Sequence, residues 1–129
     1  MIGLDTGFFI KFLENNAEAL RVWKKIVDGE EAVVSCLTMF ELKRLSLKGL
    51  IDKDSINVIM DAVTSICKIS WLAEKNLLLQ GANISHGLGI PAVDALILAG
   101  FIDEGVNNVY TTDSHFESYK KKGVSIIKL

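Results

Sequence analysis

The segment "MIGLDTGFFIKFL", residues 1–13, decides how the rest of the chain is read. Its apolar opening predicts a short strand that ends at Asp5, and Phe9 and Leu13 then fall at helical spacing over residues 6–13. A strand leading through one acid into a helix is a β–α step, and the pattern returns. "AVVSC" (32–36) predicts a second strand, followed by the helical "TMFELKRLSLKG" (38–49), with Thr38 as cap, Glu41 in the first turns and Gly49 as stop. "NVYTT" (108–112) predicts another strand, then Asp113 and a short helix over 114–121.

Between these lie a helix over 15–28 (Leu20, Trp23, Ile26, Val27) closed by "DGEE", a helix over 54–66, and a strand "CKISW" at 67–71. A long helix over 72–85, a helix from Pro91 to about Glu104 and a last strand "VSIIKL" complete the chain. Strands alternate with helices throughout, which predicts an α/β domain with a mostly parallel sheet.

Composition narrows the partners. The 129 residues are 50% hydrophobic, with one proline, no low-complexity tract and no repeat, so a single domain over 1–129 is expected. That apolar content hints at surface covered by another molecule. No apolar run reaches the roughly 18 residues of a membrane span, and the N-terminus has no basic region of a signal peptide, so a cytoplasmic protein with no membrane partner is expected. Cys36 and Cys67 sit in apolar segments away from any finger-like spacing and read as buried free thiols. The net charge of −2 leaves no global basic field, so a polyanionic substrate has to be held by a local patch or by metal ions.

The acids define the candidate site. In a parallel sheet, Asp5, Glu41 and Asp113 follow strand ends on the same carboxyl edge. The helix "PAVDALILAGFI" starts near that edge too, which brings Asp94 to it. Ligands of open α/β sheets bind there, where the strand order reverses. Each acid also has an ordinary structural reading. Asp5 and Asp113 suit helix N-caps, Thr38 and Glu41 form the T-x-x-E capping box, and Asp94 suits a first helical turn. The last is the weakest, because a dipole contribution of about 0.3–1 kcal/mol does not offset burying a carboxylate in so apolar a helix. A divalent cation would. Oxygen ligands select Mg²⁺ or Mn²⁺, and four carboxylates suffice for one ion or for two about 3.5–4 Å apart, the arrangement that cleaves phosphodiesters.

These segments resemble the PIN domain family along the whole chain. "GLDTGFFI", "MFELKRL", "PAVDALILA" and "VYTTDSHF" are similar to its four motifs, in order. The resemblance implies a three-layer α/β/α fold with strand order 3-2-1-4-5 and a Mg²⁺- or Mn²⁺-dependent ribonuclease. It places Asp5, Glu41, Asp94 and Asp113 at the acidic catalytic and metal-binding positions, Thr111 at the supporting polar position and Thr6 at a weaker one. The small size resembles toxin subunits of toxin–antitoxin pairs, which implies an RNA substrate, a homodimer and a small antitoxin protein. An RNA-processing or quality-control nuclease with the same site stays open, as does a PIN-like binding module without catalysis.

Arg44 and Lys48 lie three and seven positions after Glu41 on its helix face, placed to meet RNA phosphates or to form a solvated face. Lys11 and Lys120–Lys122 read as solubilising charge. His115 reads either as a proton shuttle or as an exposed residue of a first helical turn. Phe8, Phe9, Phe12, Phe40 and Phe101 read as core or dimer interface.

Overall fold

The computed structural model describes residues 1–129. Five strands, β1 (Ile2–Leu4), β2 (Ala32–Ser35), β3 (Lys68–Ser70), β4 (Asn108–Thr111) and β5 (Ser125–Lys128), form one sheet. Its order is β3-β2-β1-β4-β5, and every neighbouring pair is parallel. Leu4 aligns with Val34 on one side and with Tyr110 on the other. The chain moves outward from β1 through β2 to β3, then returns to lay β4 against β1. The order therefore reverses between β1 and β4, and a crevice opens beyond their carboxyl ends.

Six α-helices surround the sheet: α1 (Thr6–Leu13), α2 (Ala17–Val27), α3 (Cys36–Leu47), α4 (Lys53–Ile66), α5 (Lys75–Leu88) and α6 (Ala92–Asp103). Strand alternation sends Ala32 and Val34 to one face and Val33 to the other, which creates two cores. Phe8, Phe9, Val22, Ile26, Ile56 and Val63 of α1, α2 and α4 cover Leu4 and Val34. Ile97, Leu98 and Phe101 of α6 cover Val33 and Val109, with Phe116 sealing the far end. These are the three layers α/β/α. Because α6 has sheet on one side and α5 on the other, it needs apolar residues almost all round.

Several predicted boundaries move. Strand β2 stops at Ser35, whose Oγ accepts the Leu37 N–H at 3.1 Å, so Ser35 rather than Thr38 caps α3. Thr38 lies inside the helix, fully buried, and no Thr38–Glu41 capping box forms. Asn15, at φ 60°, separates α1 from α2, which begins only at Ala17 behind an Asn16 cap. Helix α5 runs from Lys75 to Leu88 rather than 72–85, ending where Gly89 takes φ 67°. Pro91 precedes α6 as its cap, and the segment after Asp113 is a 3₁₀ turn, Ser114–Ser118.

Phe8, Phe9 and Phe101 are buried and Phe12 packs partly against the first core, whereas Phe40 on α3 is 65% exposed. Cys67 is buried and Cys36 only half-buried; both are free thiols. No helix is long and apolar enough to cross a membrane.

Candidate active site

At the carboxyl end of β1, Asp5 caps α1. Its Oδ1 accepts the Phe8 N–H at 3.0 Å, and its Oδ2 accepts the Thr111 hydroxyl from the end of β4. Asp5 is 5% exposed. Burial pushes its pKa up to about 6, the bonds from Thr111 and Phe8 pull against that, and the charges of Asp113 and Glu41 add to the rise. Fully buried Thr111 serves two acids, since its Oγ1 also accepts the Asp113 N–H at 2.9 Å.

Asp113 in turn caps the 3₁₀ turn. Its Oδ1 accepts the His115 N–H at 2.9 Å and lies 2.9 Å from His115 Nδ1. The same imidazole nitrogen is 3.5 Å from Asp94 Oδ2, in the first turn of α6. Burial pushes Asp94 up to about 6, reinforced by its hydrogen bond with Asp113 and by that residue's charge. Burial also acts upward on Asp113, but the His115 N–H, Asp94 and the His115 ring outweigh it and hold its carboxyl below the ordinary range. Two carboxyls this close titrate as a pair, with Asp94 raised and Asp113 lowered.

Glu41 arrives from α3. Its Oε1 accepts the Thr6 hydroxyl at 2.6 Å, and Thr6 Oγ1 lies 3.2 Å from Thr38 Oγ1. Thr38 therefore supports the residue that orients Glu41 instead of capping its helix. Exposed Arg44 and Lys48, with Thr6, Glu41 and Leu45, line a cleft of about 110 Å³ beside the acids.

The four acids thus gather at one edge, each of the two raised carboxyls responding to both Asp113 and Glu41. Within the gathering, the ligating atoms of Asp94, Asp113 and His115 all lie within 4.8 Å of one another. Asp5 and Glu41 are not part of that tightest group. Carboxylate oxygens from different elements, two of them protonated well above the usual range by burial and mutual repulsion, are a donor set that fits a hard divalent cation. The sequence offers His115 as a proton shuttle or as an exposed residue of a first helical turn, and not as a member of the acidic donor group where the structure places it. The signal was there in the "DSH" spacing, but only the tightness of the 3₁₀ turn brings a side chain two positions on back toward its cap.

Comparison with known proteins places this geometry. The fold aligns with a toxin–antitoxin complex from Klebsiella pneumoniae over 97% of this chain and 96% of that one, at TM-score 0.73 and 16% identity. It aligns with VapBC2 from Rickettsia felis, bound to a DNA fragment from their promoter, over 99% and 98%, at TM-score 0.74 and 15% identity. FitAcB from Neisseria gonorrhoeae aligns over 99% and 97%, at TM-score 0.67 and 21% identity. At such identities the likeness establishes the fold. Comparison with curated protein sequences gives no significant match. The PIN domain family model matches residues 2–122, from β1 past the Asp113 turn, and so takes in all four acids. The chain belongs to the PIN domain family.

Proposed function

We propose that this protein is a Mg²⁺- or Mn²⁺-dependent endoribonuclease, the toxin of a toxin–antitoxin pair. The observation that carries the reading is the convergence of Asp5, Glu41, Asp94 and Asp113 at the point where the strand order reverses. Among the structural relatives, the toxin–antitoxin complex from Klebsiella pneumoniae supports the biological role.

Asp94 and Asp113 would hold the cation, with Asp5 and Glu41 completing the acidic wall. When bound, it supplies Lewis-acid stabilisation and an acidified water at neutral pH. The chain's own residues set the rest. Thr111 fixes the Asp5 carboxylate and the Asp113 backbone together, and Thr6 fixes Glu41. Arg44 and Lys48 sit where RNA phosphates approaching the acids would pass, and they offset a wall of charge that repels a polyanion. Exposed Trp71, Leu78, Leu79 and Leu88 are apolar surface of the kind that a second copy covers, in keeping with a cytoplasmic homodimer whose partner is a small antitoxin.

The test is cleavage of a mixed RNA pool, with single-stranded DNA of matching sequence alongside, in Mg²⁺, Mn²⁺ or EDTA. Cleavage of RNA alone, abolished by EDTA and by Asp94→Asn, is expected. RNA left intact in every metal by a protein whose melting temperature the metals raise would replace catalysis with a binding role.

A further inference from the structure

Beyond the four acids, the structure places one nitrogen donor in the site. We infer that His115 ligates the bound cation through Nδ1, making the centre a mixed carboxylate–imidazole site that favours transition-metal ions over Mg²⁺. The inference rests on the metal-dependent reading above and adds to it a ligand and a selectivity.

Three observations carry it. His115 Nδ1 is the ring atom that faces the acids, 2.9 Å from Asp113 Oδ1 and 3.5 Å from Asp94 Oδ2. The group of ligating atoms that lie within 4.8 Å of one another comprises Asp94, Asp113 and His115, so the tightest donor set is the one that includes the ring. The backbone that carries the ring is also held: Asp113 Oδ1 accepts the His115 backbone N–H at 2.9 Å, and Ser118 Oγ donates to the His115 carbonyl at 2.7 Å. Both bonds stiffen the turn that presents the imidazole. The side chain is 54% exposed, so it lies at the rim, where an ion entering from solvent reaches it.

Carboxylate and water oxygens suit Mg²⁺, whereas a neutral imidazole nitrogen adds most to affinity for ions further along the first transition series. A centre with this ring should therefore bind Co²⁺ well ahead of Mg²⁺, with Mn²⁺ between. The alternative is that His115 only donates Nδ1–H to Asp113 and orients it, a role that leaves the metal order to the oxygens.

His115→Asn separates the two, because the asparagine amide reproduces a donor near the Nδ1 position but lacks the imidazole. Wild type and variant are titrated with Mg²⁺, Mn²⁺ and Co²⁺, read by melting temperature and calorimetry, and the Co²⁺ forms are examined by proton NMR. The expected result is a Co²⁺-shifted, exchangeable ring N–H in wild type that disappears in the variant. With it, Co²⁺ affinity should fall about tenfold or more while Mg²⁺ affinity changes little. A Co²⁺ form without a shifted ring N–H, or equal losses for all three ions, overturns ligation by His115 while leaving the carboxylate site in place. If none of the ions alters wild-type melting, the metal-dependent reading fails as well.

Discussion

The Thr111 hydroxyl donates to the Asp5 carboxylate across 106 positions of sequence, from the end of β4 to the end of β1. The same oxygen accepts the Asp113 N–H at 2.9 Å. One buried hydroxyl thus ties together the two strands at the reversal point and both acids that follow them.

Thr111→Val keeps the shape and removes both bonds. Leaving a buried carboxylate oxygen without its donor should cost roughly 1–3 kcal/mol of stability, measured by urea denaturation at pH 7.5 in EDTA. Because the Thr111 bond pulls the Asp5 pKa down, its loss should raise that pKa further. Thr111→Ser, which restores the hydroxyl, should recover most of the loss. Equal stability of the valine variant and wild type would contradict the role given to this bond.

The metal-free protein should lose stability as pH rises from about 4 to above 6. Asp5 and Asp94 both have folded-state pKa values raised to about 6 from 3.8, so in this window the native state binds more protons than the unfolded chain. The slope of unfolding free energy with pH is then negative. For fully buried Asp5 the loss is of the order of 2–3 kcal/mol across the window. Asp113, held low, acts with opposite sign below pH 4. Chemical denaturation from pH 4 to 8 in EDTA measures this, and saturating Mn²⁺ should flatten the curve above pH 6.

Asp94→Asn should separate stability from function. At pH 8 without metal, the variant removes a carboxylate ionised against burial and against Asp113, and it should be more stable than wild type by about 1–2 kcal/mol. The advantage should vanish at pH 4, where Asp94 is protonated in any case. Melting at both pH values tests the sign. Added Mn²⁺ should raise the wild-type melting temperature much more than that of the variant.

Arg44→Ala and Lys48→Ala should leave melting nearly unchanged, since both side chains are exposed. RNA binding to an inactive Asp94→Asn background should weaken, and the salt dependence of the binding constant should lose about one phosphate contact per variant. Filter binding from 50 to 300 mM salt reads the slope. An unaltered slope would remove both residues from the RNA path.

Gly7→Ala should destabilise and inactivate together. A Cβ at Gly7 meets Thr112, with the Thr112 Cβ only 2.9 Å away, so α1 and the end of β4 have to separate. An overpacked contact of this kind costs about 1–3 kcal/mol. The displaced backbone also carries Asp5 on one side and Thr111 on the other. A melting temperature within a degree of wild type would show that the two elements yield without strain.

The alternation of strands and helices and the parallel arrangement of the sheet were legible in residue pattern alone. Apolar strands such as "AVVS" and the nearly all-apolar α6 announce burial on two sides, and that requirement is local. The gathering of four acids at one edge also followed from strand direction. What the one-dimensional pattern misjudged were choices between competing local partners. Ser35 and Thr38 are both competent caps, and which one caps α3 depends on Thr6, brought alongside by α1. His115 reads in sequence as a proton shuttle or as an exposed residue of a helical turn; in the structure the segment is a 3₁₀ turn, Phe116 packs into the second core, and the imidazole lies against Asp113. Phe40 sits at apolar helical spacing, yet the buried face of α3 is the one with Thr38 and Leu42, and the Phe40 ring stays in solvent. The sequence by itself determined which segments are buried and which edge carries the charge, because periodicity encodes burial. Only the tertiary structure decided which hydroxyl meets which carboxylate and that an imidazole completes the tightest donor group, because hydrogen-bond partners 35 to 106 positions apart are chosen by packing, not by spacing.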